Sequence, residues 1–245
     1  MNDMNNPQPL HKISIEEVFK KAFFYWKSTL FFQFVVTVFY FGISLYAGVQ
    51  LSLYYFGDKM NQFTPELLVN TKGFFNKVNQ LMQSENGSYF QIAISLIKAA
   101  MFPLSIGLFK VYSLIDENKT PSFSDVLDGY SGTNFFKFWG FAIFWNVVFQ
   151  LGISFLLAPG VLWVLMTLFV GPLLYFTPMR MMEAINLSAK VAIANWSIIL
   201  PCAMLAFLFG YSGIFVFLIG FFFTYPFWNA IIYTLFKKYF NIKFV

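Results

Sequence analysis

From Phe138 to Met179 the chain runs 42 residues without an Asp, Glu, Lys, Arg or His. As one helix rising about 1.5 Å per residue it would reach about 63 Å, twice the roughly 30 Å hydrocarbon thickness of a bilayer. A tract this long and apolar is expected to cross a membrane twice. Ala158-Pro159-Gly160 near its middle supplies the expected turn. Lys137 and Arg180 then mark its two ends on one membrane face.

The rest of the chain has the same character. Charged residues are 11% and apolar residues 58%, with 36 Phe, where a soluble domain carries about a quarter charged residues. A soluble core cannot bury so many aromatics while leaving so little charge for its surface. The basic residues outnumber the acidic ones 16 to 11, yet they sit at the ends of apolar runs rather than in a patch. That placement points to headgroups and membrane insertion and excludes nucleic acid as a partner. Cys202 stands alone, so no disulfide forms within the chain. His11 is the only histidine, which leaves a histidine-ligated metal centre without ligands, and no cofactor or metal is expected. The first apolar run begins too late and runs too long for a cleavable signal peptide.

Residues 1–13, polar with two prolines, are expected to be disordered. Ser14-Ile15-Glu16-Glu17 has the pattern of a capping box. Ile15, Val18, Phe19, Ala22, Phe23 and Trp26 follow it at helical spacing, which predicts an interfacial amphipathic helix or an extension of the first span. Ser28 to Gly57 is charge-free for 30 residues and holds one tilted crossing, at about 30–54. Residues 58–88 form the long loop on the opposite face. Thr64-Pro65-Glu66 is expected to start an amphipathic helix there, and Ser84 to Gly87 to end it.

The second span is expected at about 91–113 and contains Lys98. That lysine either sits near the bilayer centre as a functional group or snorkels to the interface, depending on the register. Asp116 to Lys137 reads as a solvated polar loop in which Ser122 or Ser124 caps a short helix. Asp116, Glu117, Asp125 and Asp128 fit no calcium-loop spacing. The central tract supplies spans at about 138–157 and 160–179. Val191 to Phe236, 46 residues without charge, supplies two more at about 193–210 and 214–236, turning at Gly210-Tyr211-Ser212-Gly213.

The fold class that results is all-α: a polytopic membrane helix bundle of six transmembrane helices in three hairpins, with interfacial amphipathic helices, and 14–245 as one domain. Twelve basic residues fall on the face of the termini against three (Lys59, Lys72, Lys77) on the other. The positive-inside rule then places both termini in the cytoplasm, with the chain multi-pass in the cell inner membrane. Trp26, Trp139 and Trp196 precede the three hairpins at the expected level of an aromatic belt.

Certain short motifs add a resemblance. They are Gly107 followed by Ser124-Asp125-Val126-Leu127-Asp128-Gly129-Tyr130, then Met182-Glu183-Ala184-Ile185-Asn186-Leu187-Ser188, and Pro226. In these the chain resembles a loose family of bacterial six-span membrane proteins. The family includes the membrane domain attached to some glycerophosphodiester phosphodiesterases. The resemblance implies a fold and a location but carries over no catalytic residues, and the phosphodiesterase catalytic domain is absent from this sequence.

For function, no paired acids, His-Glu motif or Ser-base arrangement falls within the spans, so an enzyme is not expected; Glu183 and Lys190 are the nearest to an acid/base pair. A transporter or channel for a small amphiphile or lipid would use helix breaks at Pro103, Pro172, Pro178, Pro201 and Pro226. Its intramembrane polar site would come from Lys98, Asn146, Gln150 and Asn229, with Gln33 a further embedded amide. An accessory or scaffold protein needs no polar site and is the expected function. Its expected partners are membrane lipids and a protein partner or further copies of the chain.

Overall fold

A computed structural model of the chain describes residues 14–240 apart from 62, 65, 66, 68, 217 and 218. The expectation about residues 1–13, with His11, lies outside the described residues. Among those residues the regular structure is helical throughout, with no strand.

Local chemistry sets the helix boundaries. α1 (Ile15–Ser28) begins where expected, but the Ser14 side chain makes no capping bond. α1 stops at Thr29, whose hydroxyl donates back to the Tyr25 carbonyl at 2.7 Å, and α2 (Leu30–Met60) follows at once. Across this joint the Gln33 amide donates to the Trp26 carbonyl at 3.2 Å and to the Thr29 hydroxyl at 2.6 Å.

α3 (Thr71–Met82) starts later than the Thr64 expected from sequence. Asn70 is its cap, its Oδ1 accepting from the Gly73 N–H at 3.0 Å, while Thr64 closes a separate turn with Leu67. Pro65 and Glu66 lie outside the described residues. Ser84 closes the end of α3, its hydroxyl donating to the Leu81 carbonyl at 2.6 Å. It also caps the next helix, α4 (Glu85–Asp116), by accepting from the Gly87 N–H at 3.1 Å, so Asn86-Gly87-Ser88 forms a helical first turn. α4 then runs unbroken through Pro103.

The segment after α4 is largely exposed and carries the short capped helix expected of it. α5 (Phe123–Val126) is capped by Ser122 and Asp125, with the Ser122 N–H and hydroxyl each donating to Asp125 Oδ2 at 2.7 Å. The segment folds back along α4. A Cβ on Gly107 would overlap the Val126 carbonyl, and one on Gly129 would overlap the Pro103 carbonyl, so backbone meets backbone at both glycines. The Tyr130 hydroxyl donates to the Ala100 carbonyl at 2.9 Å. Ala100 lies about 24 Å of helix before Asp116. Hence α6 (Asn134–Phe155) starts beside the middle of α4 and not beside its end, with Phe141 against Phe102 at 5.7 Å.

The central hairpin turns at Leu156, where the backbone is extended (φ −168°, ψ 154°), earlier than expected. Ala158-Pro159-Gly160 instead fill the first turn of α7 (Leu157–Met166), a place where proline costs a helix little. α8 (Val170–Phe176) completes the return arm. Lys137 and Leu174 are hydrogen-bonded, so the two ends of the uncharged tract lie together. α9 (Met181–Ala194) leads into α10 (Trp196–Ser212), and the second turn begins at Gly213, the last residue of the expected corner. α11 (Ile219–Thr224) stops before Pro226, and α12 (Phe227–Phe240) follows. Trp26 of α1 donates its indole N–H to the Phe223 carbonyl at that break, at 2.8 Å.

Among the described residues six stretches are long and apolar enough to cross a membrane: Leu30–Met60, Glu85–Asp116, Asn134–Phe155, Leu157–Phe176, Trp196–Phe215 and Ile219–Phe240. Their number is the six expected, with boundaries shifted by several residues, and the chain is an all-α polytopic bundle. The core is concentrated at one end. Residues Ala99 to Leu114 of α4 are largely buried, enclosed by Val18, Ala22 and Tyr25 of α1, by Val126, and by α8 and α12. The apolar face of α1 is therefore spent on protein, with Phe19 against Phe227 at 5.3 Å. At the hairpin tips Phe155 is 81% and Phe215 91% exposed, apolar surface that lipid rather than water can cover.

Candidate functional site

Asp116 is the last residue of α4, where the helix dipole already concentrates negative charge and an acid is disfavoured. Three elements far apart in sequence compensate it. The Tyr25 hydroxyl of α1 donates to Oδ1 at 2.6 Å. From α12 the Tyr233 hydroxyl donates to Oδ2 at 2.8 Å, and the Lys237 ammonium reaches the same oxygen at 2.6 Å. Lys21 approaches Oδ1 at 4.0 Å. The Asp116 side chain is only 13% exposed, so these are charge-assisted contacts largely shielded from water. Burial, and then the hydrogen bond to Asp116, raises the Tyr25 pKa above its ordinary value, which keeps the hydroxyl a donor. Lys238 and Glu17 add a 2.7 Å ion pair between α12 and α1.

Beside this cluster Glu17, Lys21, Tyr25, Thr234, Lys237 and Lys238 line a groove of about 390 Å³ between α1 and α12. A second acid is held elsewhere along α4, as Tyr175 of α8 donates to Asp128 Oδ2. Asp116 and Asp128 thus accept part-buried hydrogen bonds, whereas Asp125 caps α5 at the exposed surface. Among the described residues no group of three or more His, Cys, Asp or Glu is placed to hold a metal ion.

The polar residues singled out in the spans stand apart. Lys98 is exposed on α4, Asn146 is half-buried and Gln150 exposed one turn apart on α6, and Asn229 is half-buried on α12. α12 packs on α1, α10 and α4 rather than along α6. Among the described residues no hydrogen bond or ion pair joins any two of the four. Glu183 and Lys190 do not meet either: Glu183 accepts from the Arg180 N–H at 3.1 Å, closing the first turn of α9. Gln33 is fully buried at the α1–α2 joint.

Sequence reasoning passed over Asp116. The available signal was an acid ending an apolar run in a chain whose tyrosines 25 and 233 and lysines 21 and 237 also end apolar runs. That signal names candidates for one membrane face but does not pair them. Comparison with protein-family models, with curated proteins and with solved structures gives no match for the chain.

Proposed function

We propose that this chain is a non-enzymatic accessory or scaffold protein of a bacterial cytoplasmic membrane, multi-pass, with both termini cytoplasmic. The observation that carries the reading is the Asp116 cluster. It ties the first helix, the central helix and the last helix into one end of fixed shape, as a surface that must present itself to a partner requires. The same end gathers Glu17, Lys20, Lys21 and Lys238, and the twelve-to-three basic bias assigns it to the cytoplasm. The separate positions of Lys98, Asn146, Gln150 and Asn229 weigh against a carrier, which needs convergent polar groups at midplane.

Photo-cross-linking from the exposed face of α1 in native bacterial membranes tests this. The expected result is one partner at fixed stoichiometry, recovered reciprocally when that partner is the bait. Recovery of no stoichiometric partner, with the purified protein moving an amphiphile between vesicle leaflets, would overturn it in favour of transport.

A further inference from the structure

The groove between α1 and α12 holds more positive charge than the Asp116 cluster uses. Four charged groups line it, Lys21, Lys237 and Lys238 against Glu17, and counting Asp116, which lies behind Tyr25 and Lys237, the net charge is +1. Lys237 is committed to Asp116. Lys238 holds Glu17 in a pair whose carboxylate is 66% exposed, and exposed pairs of this kind are weak and exchangeable. The Lys21 side chain is 49% exposed, its ammonium 4.9 Å from the Tyr25 ring centroid and 4.8 Å from that of Phe24. Phe24 is itself 48% exposed on the helix that leads directly into α2. Lys21 and Lys238 reach the groove from different helices, and the exposed Phe24 ring lies beside Lys21 near the start of a span, an arrangement that suits a ligand anionic at one end and oily at the other.

We propose that this groove binds the phosphate-bearing headgroup of an anionic phospholipid. Lys21 and Lys238 contact the phosphate oxygens, and an acyl chain lies over Phe24. The proposal needs only that the chain is a membrane protein; it does not depend on the scaffold reading.

Native mass spectrometry of the full chain, titrated with phosphatidylglycerol or phosphatidylcholine, tests it. Wild type is expected to retain phosphatidylglycerol about tenfold better. Lys21→Gln/Lys238→Gln is expected to remove most of that preference, and Lys21→Arg/Lys238→Arg to keep it. Should the glutamine pair not fold, Lys21→Gln alone is read in the same way. Lys20→Gln/Lys27→Gln removes equal charge from α1 outside the groove and is expected to leave the preference intact. No preference in wild type, or equal loss in the Lys20/Lys27 variant, would overturn the site. Displacement of the lipid by glycerol phosphate at matched concentration would overturn the lipid assignment.

Discussion

Lys137 and Leu174 stand on opposite arms of the central hairpin, and the lysine ammonium donates to the leucine carbonyl. An α-helix would satisfy that carbonyl from the N–H of residue 178, but residue 178 is proline and has none. The lysine therefore acts as a long-range C-cap for α8. Lys137→Met is expected to destabilise the protein by about 1–2 kcal/mol, a midpoint drop of about 2–8 °C for a chain of this size. Thermal unfolding in detergent measures it, and an unchanged midpoint would sink the capping account.

Asp116 supports a graded series. Tyr25→Phe deletes one donor to a carboxylate and is expected to cost about 1–3 kcal/mol. Asp116→Asn also leaves Lys237 and two hydroxyls without their charged acceptor, and about 3 kcal/mol or more is expected. Because the residues share one network, the double variant should fall short of the sum of the singles. Strict additivity in denaturant titrations would mean that the two do not act together.

Glycine substitutions are expected to split by sign. Gly107→Ala and Gly129→Ala push a methyl into facing backbone, which should cost about 3 kcal/mol or prevent folding. Gly42→Ala and Gly140→Ala lie in helices with nothing within 4 Å of the added carbon, and should stabilise by about 0.5–1 kcal/mol. Thermal shifts on the four variants distinguish a backbone contact at α4 from a loosely lying loop.

Asp125 predicts a pH response. Burial alone would raise its pKa. Hydrogen bonds from the Ser122 hydroxyl and N–H, aided by the charge of Lys110, outweigh it and hold the carboxyl below the ordinary value of 3.8. A depressed folded pKa contributes stability that is fully present above the unfolded value and is lost as pH falls through the folded one. Amide exchange over residues 122–126 should therefore stay protected at pH 5 and rise only below about pH 4. In Ser122→Ala the folded pKa should rise toward the unfolded value, so the part of the protection that is lost with acid should shrink. An identical profile in the variant would count against the cap.

Composition and the spacing of charge were enough to establish an all-α membrane bundle of six spans, because solvation by lipid depends on tract length and ionisable content, both local quantities. Pairing was not legible. Tyr25, Asp116, Tyr233 and Lys237 are scattered over most of the chain, and each alone reads as the polar end of a span. Gly107 and Gly129 look like ordinary helix and loop glycines until the backbone folds back on α4. Only the tertiary structure decided that Asp116 and Asp128 accept part-buried hydrogen bonds and that Lys98, Asn146, Gln150 and Asn229 stand apart. Those outcomes depend on which helix faces meet, and an apolar tract free to face lipid on any side leaves that open.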